Sequence, residues 1–572
     1  MSNFYLDNPD IRFHMNHMDL ERIISFKEDD FVEKEAYPHA PKDAEDTRDN
    51  YHRVLEIVGE IAGDFVAERA PEVDREGARF ENGEVIYARG TVEAMDRLKK
   101  SDLGGFTLAR KYDGINMPKI IYAVATEMIS RADASLMNIF GLQEIADTIY
   151  HFGSEEQKQK YLPRFASGTV LGAMALTEPD AGSDLQSVAL KAKQNENGEW
   201  FLNGVKRFIT NGCAEISLVM ARSEEGSTGG RGVSLFIYER EPRMTIRRIE
   251  HKLGIKGSPT CEMQFNDAPA ELLGQRKMGL VKYTMSLMNG ARLAVAAQAV
   301  GIAEAAYREA RKYAEARQQF KKPILKFSAI YEMLTDMKVN IEGARTLLYE
   351  TARVVDLKEG IEERIHKHPE KEAELRDDIK RYSRYSALLT PMIKAFAAEM
   401  ANRVCYDAVQ IHGGVGYTCE FNVERHLRDV RITNIYEGTT QLQIVATIGG
   451  VIGGIVFERL NDYEKDTDFA PVSGLFGQVR ELRGHLESAV SYVKEKKDST
   501  YQEFHALRLV NMATDVLIGY LLCMDALKSD RKKRVAEIYV SKARYRVQES
   551  MGFILSDETG IIDFHHEIIS DG

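Results

Sequence analysis

Three stretches of this 572-residue chain carry residue types and spacings that could do chemistry. Between Met174 and Ser183 small residues and turn formers dominate, so the backbone can approach a planar ligand, and Thr177 and Ser183 offer short hydroxyls. In NIYEGTTQLQ, Glu437 stands between an aromatic residue and a glycine, the setting of a carboxylate held on a tight turn beside an apolar surface. A base so placed could remove a weakly acidic proton. Arg317, in ARQQF, has a guanidinium suited to phosphate oxygens, and the glycines of QIHGG permit close backbone approach. Each stretch alone has a plainer reading as an ordinary loop, a solvated glutamate or a solvated helix arginine. No GxGxxG fingerprint, Walker-type loop, HExxH helix or GxSxG elbow is present, so the common nicotinamide, nucleotide-hydrolysing, zinc-protease and serine-hydrolase machineries lack their parts. No metal site is expected.

The elements that must position these residues can be read from periodicity. From about Tyr51 to Ala67, apolar residues at Val54, Ile57, Val58, Ile61 and Phe65 have helical spacing, and similar patterns continue to about Ala166. Alternating or clustered β-branched and aromatic residues between Gly- and Asn-rich turns then predict strands over about Leu171 to Asp267. Long helical patterns return near Met278. The stretch Asp356 to Arg384, dense in alternating charges and holding Pro369, reads as a solvated helical hairpin or insertion. The segment NDYEKDTDFAPVSG reads as a linker, followed by helices around Val510 to Leu527 and Arg534 to Met551. These patterns divide the chain into an N-terminal extension and helical domain (1–170), a β domain (171–277), a helical bundle (278–465, with the charged insertion 356–384) and a C-terminal helical extension (466–572).

Such a length exceeds one core, and the net charge of −12 argues against polyanion binding. Cys213, Cys261, Cys405, Cys419 and Cys523 lie far apart with no C-x-x-C pair, which predicts reduced, buried or inert thiols. The first residues place acids where an export signal needs basic residues and an apolar run, so a cytoplasmic location is expected. The longest apolar stretch, Ile444 to Phe457, is short for a membrane span and holds four glycines, predicting a helix buried in protein.

Seven segments taken in order, ALTEPDAGSD, RFITNG, LGIKGSPTCE, MNGARLAVAAQAVG, ARQQFKKPI, QIHGGVGYT and VERHLRDVRITNIYEGTTQLQ, resemble the acyl-CoA dehydrogenase family over roughly residues 50–460. The resemblance implies an α+β fold: an N-terminal helical domain, a middle β domain and a C-terminal helical bundle, here with an extra C-terminal helical domain as in the larger members. It implies FAD as cofactor and α,β-dehydrogenation of an acyl-CoA thioester, with Glu437 as the catalytic base. Ala291, before Arg292, occupies the place where some members carry the base instead, and an alanine cannot abstract a proton.

By the same resemblance Met174, Leu176, Thr177, Ser183, Phe208 and Thr210 line the flavin, with Phe208 where the family often has Trp. Arg317 and Phe320, with Gln410, Gly413 and Gly414, complete the FAD site across a subunit interface, while Thr439 and Gln441 also touch FAD. A homo-oligomer, dimer or tetramer, is therefore implied. Ser183, Met288, Asn289, Arg292 and Gly438 fall where the family contacts acyl-CoA. The family commonly has Asp at the place of Asn289, and a His-Gln pair after the arginine segment is replaced by Phe327-Ser328. Burial beside Tyr436 is expected to raise the Glu437 pKa toward working pH.

Electron-transfer flavoprotein is the acceptor the resemblance implies. An acyl-CoA oxidase, which discharges its flavin to oxygen, shares every motif above. A DNA-associated flavoprotein of the superfamily is disfavoured because residues 469–572 hold about as many acids as bases, the run Arg531 to Arg534 being its one hint. Membrane docking through the C-terminal extension is not expected, although long-chain members with such extensions would allow it.

Overall fold

The computed structural model describes residues 2–570, apart from the Gln143 side chain, and divides into two units. One runs to Tyr331 and takes in Ala401–Glu437; the other comprises Glu332–Met400 and the chain from Gly438 onward.

In the first unit the N-terminal extension is folded. Helices Pro9–His17 and Glu21–Lys27 bury Ile11, Met15, Ile23 and Ile24, and Glu28 pairs with the buried Arg110 guanidinium at 2.8 Å, fastening the extension to the helical domain. Helix Ala44–Glu60 starts on an Asp43 cap and runs through a π-helical turn, Ile61–Val66, into Ala67–Glu76. The buried stripe is Tyr51, Leu55, Val58, Ala62 and Val66, whereas Ile57 is exposed. The apolar spacing thus identified the helix while misplacing part of its face, since the buried row is led by Tyr51 and Leu55, which leaves Ile57 on the solvent side. A hairpin, β1 (Arg79–Glu81) and β2 (Glu84–Ile86), interrupts the stretch whose pattern predicted helix throughout. Its Asn82 and Gly83 both take positive φ, the condition for so tight a reversal.

The middle segment folds as one mixed sheet: β3 (Gly172–Ala175), β4 (Lys191–Gln194), β5 (Trp200–Thr210), β6 (Ile216–Arg222), β7 (Val233–Glu239), β8 (Met244–Ile249) and β9 (Thr260–Leu273). The order β3-β6-β4-β5-β9-β7 closes on itself because β7 also pairs with β6. Its interior holds Trp200, Leu202, Phe236, Tyr238 and Phe265. Strand β9 continues to Leu273, past Asp267 where the alternation fades.

From there the 32-residue helix Met285–Ala316 passes beside helix Lys119–Ala132, which is buried along almost its whole length. A helix apolar on every side belongs inside a core, and this one forms its centre.

Helices Ser328–Lys367 and Glu372–His412 carry the chain into and out of the second unit, turning at Pro369–Lys371. The charge-dense stretch between them is not wholly solvated, because Leu357, Ile361 and Leu375 are buried. The expected linker is also largely structured. Helix Ile455–Asp466 includes its first half, and Phe469 and Val472 are buried in the remainder. Helices Ser473–Lys496, Ser499–Ala526 and Asp530–Leu555 then pack together. Ser499–Ala526 is long and apolar enough to cross a membrane, yet most of it is buried among its neighbours. The basic run is partly consumed internally: Arg531 and Lys532 lie 2.5 and 3.2 Å from the fully buried Glu342 carboxylate. Four cysteines are buried and Cys419 is exposed after the helix ending at His412; all five are free thiols.

Candidate active site

The sequence-predicted residues of the first unit gather in three groups. One is built on Tyr436 and Glu437. Glu437 has φ +55° and the following Gly438 +91°, so the chain reverses sharply on the carboxylate itself. A non-glycine residue in the left-handed region is held there by its surroundings. Here the holder is Tyr436, whose hydroxyl meets the side-chain oxygens of Gln298 and, at 3.0 Å, Asn138. Gln298 in turn donates to Asn138 at 3.3 Å and to the Ala134 carbonyl at 3.1 Å. Burial, reinforced by the Glu437 charge, raises the Tyr436 pKa far above the usual phenol value, so the hydroxyl stays protonated.

The same helix as Gln298 carries Arg292, 7% exposed, which donates to Asn289 at 3.1 Å. Its Nε is buried and finds no acceptor among the described residues. Desolvation lowers its pKa and the Glu437 charge opposes that shift, which places the carboxylate within electrostatic reach. Met288 packs in one apolar cluster with Leu142 and with Met174 of β3. Met288, Asn289, Ala291 and Glu437 are all only partly buried, bordering open space.

A second group lies on the β domain. Leu176 and Thr177 leave β3 as a loop, with Ser183 exposed at its tip. The Thr177 carbonyl accepts from the Arg207 backbone N–H at 3.0 Å, joining loop to β5. In β5 the register against β9 shifts between Lys206 and Ile209, and within that bulge Phe208 adopts φ +61°. The bulge turns the ring outward to 51% exposure beneath the Arg207 guanidinium, while Thr210 resumes pairing opposite Thr260. An exposed aromatic on a strained bulge, beside two half-buried threonines, fits a flat ring system stacked on this edge.

The third group is separate. Arg317 ends the helix Met285–Ala316, and Phe320, 88% exposed, tops the tight turn between Gln318–Gln319 and Lys322–Pro323. One turn before Arg317, Tyr313 stacks on His412 at 4.4 Å, which brings in Gln410, Gly413 and Gly414. A Cβ added at either glycine would meet nothing within 4 Å, so neither is required by packing inside this chain. Phe327 meets Phe320 edge-on at 6.1 Å, filling the place of the family's His-Gln pair. The rise of about 1.5 Å per residue puts Arg317 roughly 37 Å along the helix from Arg292. Within one chain the first and third groups therefore do not meet.

In the second unit, Thr439 caps helix Thr440–Ile452 by accepting from the Leu442 N–H, and Gln441 is exposed on that helix. The Gly438 carbonyl accepts from Lys394 at 2.6 Å and Gln443 at 2.9 Å, fixing the outgoing arm of the turn. Gln298, Asn138, Lys206 and Glu178 carry structural weight at the site that sequence reasoning missed. Only the inward phase of Lys206 along β5, shared with Leu202, could have flagged it.

Comparison with known proteins matches these features in order. Profiles of the acyl-CoA dehydrogenase N-terminal, middle and C-terminal domains match residues 48–169, 173–268 and 281–449, and an acyl-CoA dehydrogenase C terminal profile matches 453–558. The chain is 35% identical over 433 residues to 3-methylmercaptopropionyl-CoA dehydrogenase of Ruegeria pomeroyi, covering 70% of each protein. It is 38% identical over 370 residues to the short-chain specific acyl-CoA dehydrogenase of Megasphaera elsdenii, covering 63% of this chain and 90% of that one. An acyl-CoA dehydrogenase from Bacillus anthracis, solved in complex with FAD, superposes with a TM-score of 0.72 at 25% identity, covering 88% of both chains. With helical, β and helical domains in the same order and a matched C-terminal extension, the chain belongs to the acyl-CoA dehydrogenase family, FAD-dependent oxidoreductases acting on CH–CH bonds.

Proposed function

We propose that this enzyme converts an acyl-CoA thioester to the trans-2-enoyl-CoA, with Glu437 removing the α-proton. The observation that carries the reading is the constrained turn. Glu437 is aimed by its own left-handed backbone and by Tyr436 anchored to Gln298 and Asn138, with the buried Arg292 within electrostatic reach. A thioester α-proton is weakly acidic, so removal needs a base already in position and a donor for the developing enolate oxygen. The Glu437 backbone N–H is that donor on the protein side. Desolvation beside Tyr436 and a bound acyl chain would bring the Glu437 carboxyl nearer the working pH. Phe208, Thr177 and Thr210 would hold the flavin ring, Met174 and Leu176 would line it, and Ser183, Met288, Asn289, Arg292 and Gly438 would hold the thioester. When bound, FAD supplies the acceptor for the β-hydride.

The distance between Arg292 and Arg317 supports a site shared between subunits. Arg317, Phe320, Gln410, Gly413 and Gly414 would serve the FAD of a second copy, with Thr439 and Gln441 adding contacts. A homo-oligomer, a cytoplasmic location and electron-transfer flavoprotein as acceptor belong to the same proposal. The acyl panel should run from short straight chains to 3-methylmercaptopropionyl-CoA and long chains. In anaerobic titration one of these thioesters bleaches the flavin of the wild type, and Glu437→Gln, which still binds FAD, shows a loss of at least about a thousandfold in rate. A flavin that no thioester bleaches would reject the reading, and rapid oxygen consumption would replace the acceptor by oxygen.

A further inference from the structure

Lys206 is a fully buried lysine of the β domain that the chemistry above leaves without a task. Its side chain is 0% exposed, at an inward position of β5. A lysine is placed there against a strong desolvation penalty, which burial expresses by pulling its pKa down to about 8. Such a placement calls for partners, and it has two. The ammonium donates to the Leu176 carbonyl at 2.8 Å and to Glu178 Oε1 at 2.7 Å.

Glu178 is buried as well, and its carboxylate accepts from two backbone donors at the far end of the same loop, Ala189 N–H at 2.6 Å and Leu190 N–H at 3.0 Å. The loop from Leu176 to Leu190 is therefore drawn into a closed ring around one carboxylate, and that carboxylate is tied to β5. Two residues beyond Lys206 the bulge turns Phe208 outward, and four residues beyond it stands Thr210. On the loop side Thr177 lies between the two residues bonded to Lys206. The Arg207 N–H donating to the Thr177 carbonyl closes the same junction from the adjacent residue. Hydroxyls and ring that reach one ligand edge from two separate segments need a rigid strut between those segments, and the ion pair occupies that position.

We propose that the buried Lys206–Glu178 pair is the positioning device of the flavin edge, fixing Thr177 on the loop relative to Phe208 and Thr210 on β5. The inference rests on the assignment of those three residues to the flavin, and it is independent of which thioester is oxidised or whether Glu437 is the base. Neither Lys206 nor Glu178 touches the cofactor; both act through the backbone they hold.

The experiment compares wild type, Lys206→Met and the double variant Lys206→Met/Glu178→Gln, each stripped of flavin. Three quantities are read: the FAD dissociation constant from flavin fluorescence, the visible absorption of the reconstituted protein, and amide exchange over residues 176–190 in the apoprotein. Lys206→Met leaves a buried carboxylate without its counter-ion, so Tm falls, FAD affinity drops about tenfold or more, and exchange over 176–190 accelerates. The double variant removes the lone charge and recovers much of the Tm, while FAD affinity stays reduced and the absorption bands stay shifted. Should Lys206→Met fail to fold, the double variant alone gives the result. Wild-type FAD affinity in Lys206→Met, or recovery of affinity in step with Tm in the double variant, overturns the proposal. Loss of FAD affinity in a protein that no thioester reduces would uphold it while removing the dehydrogenase reading.

Discussion

Tyr436 illustrates how a residue that performs no step can decide whether one occurs. It precedes Glu437, and its hydroxyl is locked to Gln298 and Asn138, so backbone freedom at Glu437 is removed through the neighbouring side chain. Tyr436→Phe keeps the ring and deletes the anchor. Two buried amide side chains then lose a partner, at a cost of about 1–3 kcal/mol. Thermal unfolding should show that loss as a lowered Tm. In steady-state kinetics kcat should fall several-fold with KM for the acyl-CoA little changed, because Met288, Asn289 and Arg292, proposed to hold the thioester, lie on the helix Met285–Ala316 rather than on Tyr436. A change confined to KM would show that the hydroxyl serves substrate binding instead.

Between elements, helix Val423–Val430 has the task of seating the loop Leu253–Ile255 against the helical domain. Arg428 pairs with Asp74 at 2.6 Å, and Asp429 accepts from the Ile255 N–H at 2.5 Å. Gly254 permits the approach, since a Cβ there would fall 2.5 Å from the Arg428 carbonyl carbon. Burial raises the Asp429 pKa from 3.8 to about 6, with Arg425 opposing. A folded pKa above the unfolded one means the folded state keeps the proton that the unfolded chain gives up. The stability this group contributes is present below about pH 4 and is lost as pH rises through about 6. Asp429→Asn, which can still accept from Ile255, should gain on wild type across that window. At about 1.4 kcal/mol per pH unit the gain is bounded near 3 kcal/mol. Denaturant titrations of both proteins at pH 4 and pH 7 measure it, and a constant difference between them would deny that Asp429 titrates in this range.

At the scale of the molecule, the second unit carries its own ionic centre. Glu342, fully buried, draws Arg531 and Lys532 of helix Asp530–Leu555 onto helix Ser328–Lys367. Arg531 is half exposed and contributes little, whereas Lys532 is buried with Glu342 as its nearer carboxylate and Asp525 as its second, at 3.7 Å. Glu342→Gln leaves that buried ammonium with Asp525 as its remaining carboxylate, at a cost of about 3 kcal/mol. Calorimetry should then show the unfolding of the second unit moving to lower temperature ahead of the first. The FAD affinity of the β domain should hold at temperatures below that transition. A single transition shifted as a whole would mean that the units unfold together.

Periodicity and turn chemistry sufficed for the order of helical, β and helical segments and for the tight turn at Glu437. Each of these is written in a few adjacent residues, whose φ/ψ preferences and burial period act locally. The face of the helix Ala44–Glu60, the β1–β2 hairpin and the structured linker were misread, because a stripe led by a buried tyrosine, a two-residue reversal and a buried phenylalanine all break simple apolar spacing. What holds the candidate site was not legible at all. Tyr436 meets Asn138 across 298 residues of sequence, and Lys206 meets Glu178 across 28. A lysine in a strand reads as solvated until the sheet closes over it. Only the tertiary structure, by removing water from Lys206 and Gln298, made their hydrogen bonds obligatory and so turned them into the supports of the proposed flavin edge and of the Glu437 turn.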